Sequence, residues 1–207
     1  MTVVDSVFRR GHGLSVGSET VNGIWHIRAN NVQFLGTDNG FRIKTGRDRG
    51  NQIFDMVIQN VQMTDVPTPI SLSEYYPTIP SVTQSDISQP QPPETRPFVH
   101  GITIANVDVT NPKTVRDTNV TGGLIIGVPE SPIYNVRLRN VSISSSMPGG
   151  IYIRLRNVDH LTCSNVVITP ANPNSPNVGH PFDNEGGLTN LAGCDVSPVS
   201  PQIGSSG

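Results

Sequence analysis

Five segments of this chain align without gaps around an asparagine followed by valine, and that repeat limits the available folds more than any other feature. They run from Ile27 to Phe34 around Asn31-Val32, Met56 to Met63 around Asn60-Val61, Ile102 to Val109 around Asn106-Val107, Val136 to Ile143 around Asn140-Val141, and Leu161 to Ile168 around Asn165-Val166. A weaker sixth copy opens the chain, with Asp5 in the asparagine slot, Met1 and Val3 before it and Phe8 after it. The key positions recur at intervals of 26, 29, 46, 34 and 25 residues. In each copy apolar or small residues sit four and two places before the asparagine, then one and three places after it. A strand has a side-chain period of two, so the asparagine itself would be the next inward residue. Instead the parity flips there, as it does where two short strands meet at a bend. Asparagine suits such a bend because it tolerates the left-handed backbone conformation. Six coils bent at the same place and stacked in parallel describe a right-handed parallel β-helix, each coil burying its inward residues against its neighbours. The asparagines would then form a hydrogen-bonded column. An antiparallel β-sandwich gives no reason for Asn-Val to recur in one frame, and no amphipathic pattern of period 3.6 runs beyond a turn or two.

A second series of strands follows the bends: Leu14-Ser15-Val16, Phe41-Arg42-Ile43-Lys44, Ile70-Ser71-Leu72-Ser73, Leu124-Ile125-Ile126, and Ile151 to Arg156. Period two sends Phe41 and Ile43 inward and Arg42 and Lys44 outward, and likewise Tyr152, Arg154 and Arg156 outward. One outer face therefore gathers cations and a tyrosine. An insertion from Thr64 to Phe98 holds eight prolines and Tyr75-Tyr76; proline density keeps it out of the sheets, as an ordered loop leaning over that face. A smaller insertion runs from Asn111 to Gly122. The expected organisation is a solenoid over residues 1–170, then a tail over 171–207, rich in Asn, Pro, Gly and Ser, that packs on the solenoid or caps it.

The 207 residues, 35% of them hydrophobic, suffice for one domain with a real core. A net charge of -2 with scattered basic residues argues against a nucleic-acid partner. No window approaches the roughly 20 consecutive apolar residues of a membrane span, and the first residues lack the pattern of a signal peptide. Cys163 takes an inward slot two places before Asn165, so a buried free thiol is favoured over a disulfide to Cys194. Asn119-Val120-Thr121 fits a glycosylation acceptor. Asn140-Val141-Ser142 fits as well, but its asparagine belongs to the ladder and is expected to be inaccessible.

Two motifs carry the chemistry. Gly11-His12-Gly13-Leu14-Ser15-Val16-Gly17-Ser18 sets a histidine between glycines, which alone is no more than a tight turn. Arg42-Ile43-Lys44 puts two cations on one strand face, suited to a carboxylate: arginine offers a two-pronged fork and lysine a point charge. Gly-His-Gly-x-Ser-x-Gly-Ser followed about 30 residues later by Arg-Ile-Lys, within Asn-Val coil repeats, resembles glycoside hydrolase family 28, the polygalacturonases and their relatives, over residues 1 to about 170. The resemblance implies hydrolysis, with inversion, of α-1,4-linked galacturonate in pectin. It implies that His12 lies beside the catalytic carboxylates, that Arg42 and Lys44 bind the uronate carboxylate, and that a tyrosine of the next coil contacts the sugar. Tyr76 matches that position best, with Tyr75 the other candidate. No cofactor or metal is implied, and the expected location is extracellular or periplasmic.

The same resemblance exposes a departure. The family's catalytic acids come from an Asn-Thr-Asp segment and an Asp-Asp pair before Gly-His-Gly, and this sequence contains neither. Inverting hydrolysis needs a carboxylic acid and a carboxylate base, which a histidine and two cations do not replace. Glu19, Asp38, Asp48 and Glu74 are the nearby carboxylates, the candidates for a substitute pair at the groove. The competing expectation is an inactive pectin-binding or structural solenoid. A chain truncated before Gly-His-Gly would also leave Met1, Val3 and Phe8 on an uncovered coil, so self-association through that coil is expected.

Overall fold

The computed structural model describes residues 1–82, 92–112, 121–145, 151–171, 174 and 180–199. Among the described residues, thirteen strands form two parallel sheets. The first comprises β1 (Thr2–Arg9), β3 (Ile24–Leu35), β5 (Asn51–Thr64), β7 (Pro97–Thr110), β9 (Ile133–Ser144), β11 (Val158–Thr169) and β13 (Leu188–Thr189), in that spatial order. The second comprises β2 (Leu14–Ser18), β4 (Asn39–Thr45), β6 (Thr68–Ser73), β8 (Gly123–Ile126), β10 (Ile153–Arg156) and β12 (Phe182–Asn184), also in chain order. Strands therefore alternate between sheets and each pairs with the strand one coil away, which is the parallel β-helix expected.

The bend expected at the asparagine column is present. Asp5, Asn31, Asn60, Asn106, Asn140 and Asn165 all have φ between 49° and 56°, inside the left-handed region that L-residues avoid and asparagine tolerates. Their side chains form the ladder: Nδ2 of Asn106 donates to Oδ1 of Asn60 at 2.9 Å, Asn140 to Asn106 at 2.9 Å, and Asn165 to Asn140 at 3.2 Å. Asn31 donates to Oδ1 of Asp5 at 2.6 Å. One rung is displaced, with Asn60 donating to Asn30 rather than Asn31. Asp5 heads the column, where a group need only accept, and a carboxylate does that as well as an amide. Asn140 is exposed to solvent, contrary to expectation, because the ladder runs along the outside of the bend; its amide is nevertheless bonded on both sides. Asn119 lies outside the described residues.

A second bend column was not legible. His26, Asp55, Gly101, Asn135, His160 and Asn190 occupy one register position and all have positive φ. Side chains inside the coils make a continuous core, with Phe34, Phe41, Ile43, Ile53, Met56 and Phe182 fully buried.

Three differences from the sequence reading matter for the outer face. Proline does not keep all of Thr64–Phe98 out of the sheets: the strand expected at Ile70–Ser73 is present within β6, which begins at Thr68, and β7 begins at Pro97, leaving 74–96 between them. The tail contributes β12 and β13, one to each sheet, although its Asn-Val repeat has lapsed. Cys163 is not a free thiol; it is bonded to Cys194, with Cα atoms 4.9 Å apart. The inward slot of Cys163 faces the tail once the tail forms a further coil, and that brings the second cysteine within reach.

Candidate functional site

The outward residues of the second sheet fall into two columns fixed by register. Ser15, Arg42, Ser71, Leu124 and Arg154 form one; Gly17, Lys44, Ser73, Ile126 and Arg156 form the other. Residues 27 to 53 positions apart in sequence become neighbours about 4.8 Å apart, the spacing of paired strands.

His12 stands at the entrance to β2, on a turn between two glycines: Gly11 supplies a positive φ of +77° with open space around it, and Gly13 permits a close approach. Gly13 has φ +71°, and a Cβ on it would lie 2.0 Å from the carbonyl oxygen of Asn39 in the next coil. Without a side chain at Gly13, the backbone of 37–39 settles against the turn, and Asp38 N–H donates to Gly11 O at 2.7 Å. That contact delivers the Asp38 carboxylate, whose Oδ2 lies 2.8 Å from His12 Nδ1. A carboxylate accepts, so it is the Nδ1–H of His12 that donates to Asp38. The imidazole is 66% exposed while the Asp38 side chain is only 9% exposed. A buried group thus orients an accessible one.

Arg42 and Lys44 lie one strand further along. Their neighbours Phe41 and Ile43 are fully buried, so the alternation that fills the core also aims the cations outward. Gly17, opposite Lys44, has φ +100°, and a Cβ there would lie 1.9 Å from the Lys44 carbonyl oxygen. Together with Ser71, Ser73, Tyr75, Tyr76, Pro77 and Ile79, the two cations line a hollow of about 60 Å³. Lys44 Nζ sits 4.9 Å from the centroid of the Tyr76 ring, and the Arg49 guanidinium 5.6 Å from it. Tyr76 is half-buried and anchored by its N–H to Thr45 O at 2.9 Å. Tyr75 turns the other way, 7% exposed against Leu124, Ile126 and Val128, and that burial pushes its hydroxyl above the usual tyrosine range.

The nearby carboxylates separate by environment. Glu19 and Asp48 are exposed and flank Arg49, at 3.1 and 3.9 Å. Glu74 is fully buried and accepts from the backbone N–H of Val128 at 2.9 Å and of Val99 at 3.3 Å. Burial raises its carboxyl well above the ordinary value, partly offset by those two donors. Asp38 is the one joined to His12.

Arg154 and Arg156 do not add free cations to the face. Glu185, on the tail, receives Arg154 Nε at 2.5 Å and Arg156 Nη2 at 2.6 Å, and Arg156 Nη1 donates to Pro80 O at 3.1 Å. Arg47 makes a two-pronged pair with Glu130, both contacts at 2.6 Å. Pairings of this kind, 83 residues apart in the last case, leave no local signal in the sequence. Among the described residues, no cluster of three or more His, Cys, Asp or Glu is placed to hold a metal ion.

Comparison with known proteins agrees with this architecture. The family model described as glycosyl hydrolases family 28 matches residues 1–171. A polygalacturonase of Chamaecyparis obtusa is 29% identical over 115 residues, covering 54% of this chain and 21% of that protein. An endo-polygalacturonase of Pectobacterium carotovorum subsp. carotovorum is 28% identical over 139 residues, covering 58% and 33%. An exopolygalacturonase of Arabidopsis thaliana, clone GBGE184, is 39% identical over 84 residues, covering 37% and 19%. No solved structure matches. The chain thus spans a fifth to a third of the length of these relatives. With the family model matching most of its length and its strands wound into a parallel solenoid, the chain belongs to glycosyl hydrolase family 28.

Proposed function

We propose that this chain carries the uronate-binding part of a pectin-degrading, polygalacturonase-like site. In this reading Arg42 and Lys44 neutralise a galacturonate carboxylate, Tyr76 packs against the sugar ring, and His12, oriented by Asp38, faces the bond to be cleaved. The observation that carries it is the pairing of two outward cations and Tyr76 in one hollow, one strand away from the His12–Asp38 pair. The reaction is hydrolysis of α-1,4-linked galacturonate with inversion, which needs one carboxylic acid and one carboxylate base.

A second reading, binding without turnover, is favoured by one specific observation. Each carboxylate near the motifs is already engaged: Asp38 with His12, Glu19 and Asp48 with Arg49, Glu74 with backbone N–H groups. Reducing-sugar release from polygalacturonate, measured against a His12→Ala, Arg42→Ala double variant, separates the two. Release by the native chain alone supports hydrolysis; binding by calorimetry with no release supports the second reading; neither binding nor release sinks both.

The same reading includes an extracellular or periplasmic location, supported by the Cys163–Cys194 disulfide, a bond that persists in oxidising compartments. It also includes self-association through β1, an edge strand whose Val4 and Val7 are 49% and 50% exposed. A monomeric mass by light scattering at micromolar concentration would count against that part.

A further inference from the structure

We propose that this site holds one end of a polyuronate chain and does not accept chain interiors, because the segment 74–81 closes the outer face immediately beyond Arg42 and Lys44. The inference rests on the uronate reading above and names the mode of binding within it. On the β2 side of the two cations the columns are open: Gly17 is exposed and Ser15 half-buried. On the other side they are shut. Ser71 and Ser73 are each 7% exposed, Leu124 9%, Ile126 0% and Arg156 2%.

The covering is built from side chains suited to permanent burial. Leu124 and Ile126 point out of the solenoid, where a wet sugar-binding face would carry polar groups. Instead they form a second apolar cluster with Tyr75 and Val128, against which Ile79 packs. Burying such side chains is what holds a loop to a sheet face. Two polar contacts fix the segment at its ends: Glu74 N–H donates to Ile126 O at 3.1 Å, and Pro80 O accepts from Arg156 at 3.1 Å. Arg156 is itself held by Glu185. A sugar chain running along the solenoid axis over β2 and β4 therefore meets the loop one strand, about 4.8 Å, past the cations. It must terminate in the hollow, with its last uronate carboxylate against Arg42 and Lys44.

The test is the number of protein molecules bound per polymer. The full chain is titrated with a short polygalacturonate fraction and with one tenfold longer, each quantified by its chain ends, and the complexes are sized by analytical ultracentrifugation. End binding gives one protein per chain at both lengths. A number that rises with length overturns the inference while leaving the uronate reading intact; no binding at either length overturns both. If cleavage accompanies binding, viscosity falling ahead of the appearance of reducing ends overturns it as well. An Ile79→Ser, Pro80→Gly variant unseats the segment and is expected to load several proteins on the longer polymer. A variant still limited to one per chain would overturn the role given to the loop.

Discussion

Replacing Asn106 separates the two reasons for an asparagine column. Asn106 has φ 54° and sits mid-ladder, donating to Asn60 and accepting from Asn140, each at 2.9 Å. Any residue lacking the amide loses both bonds, each worth about 0.5–1.5 kcal/mol and nearer the lower figure at an exposed site, so roughly 1–2 kcal/mol in all. Alanine also pays about 1–2 kcal/mol for a left-handed conformation, whereas glycine pays no such strain and loses roughly 0.5–1 kcal/mol through chain entropy. Asn106→Ala is thus expected to cost roughly 2–4 kcal/mol, and Asn106→Gly about 0.5–1 kcal/mol less, reversing the order found within ordinary strands. Asn106→Asp keeps the bond from Asn140 but sets a carboxylate against Asn60 Oδ1, a fault that Asp5 escapes at the head of the column. Urea unfolding followed by far-ultraviolet circular dichroism gives the order. An alanine variant as stable as the glycine variant would refute the claim that backbone conformation selects asparagine here.

Three further outcomes follow from the outer face and the tail. Because burial raises the Glu74 carboxyl in the folded state, the folded protein binds the proton more tightly than the unfolded one. The associated stability is full below the unfolded value, near about 4.3, and is lost as pH rises through the folded value. Glu74→Gln should remove that downward slope in a pH series of urea midpoints, while costing about 1–3 kcal/mol at acid pH for the N–H it leaves without an acceptor; an unchanged slope would assign the pH dependence elsewhere. Lys44→Ala should weaken binding of a galacturonate trimer by about 1.5–3 kcal/mol, roughly 10- to 150-fold in Kd by calorimetry, and an unchanged Kd would remove Lys44 from the site. Reduction of Cys163–Cys194, which closes 31 residues, should lower stability by about 3–4 kcal/mol on the chain-entropy account, with proteolysis beginning beyond β11; a tail equally resistant when reduced would contradict this.

What could be read from the sequence depended on whether a position makes one demand or several. The Asn-Val column was legible because a left-handed bend on a solvated corner selects one residue type again and again. The bend at His26, Asp55, Gly101, Asn135, His160 and Asn190 makes the same backbone demand but is met by four residue types in irregular order, so no periodicity marks it. Phe41 and Ile43 announced the direction of Arg42 and Lys44 through strand alternation. Asp38 was one of four nearby carboxylates, and only the close approach at Gly13 distinguishes it. Nothing local foretold that Glu185 would claim Arg154 and Arg156, or that Cys194 would reach Cys163, because both depend on a tail whose repeat has lapsed and which still pairs in register.

The same geometry explains why a spacing of about 30 residues between His12 and Arg42 is informative. In a solenoid, distance along the chain is converted to distance across strands once per coil, so two residues meet only if the coil between them closes in register. The turn at 10–13 and the corner at 36–39 set that closure, and both are locked by backbone contacts: Asp38 N–H to Gly11 O, and Gly13 against Asn39 O. Length elsewhere in a coil is free to vary. The 46 residues between Asn60 and Asn106 include the segment over the cations, and β5 and β7 still pair along their whole length. Charge placement and the shape of the outer face are therefore set by different parts of each coil. Strand register fixes which charges stand side by side, while insertions at the corners decide how much of that face is covered.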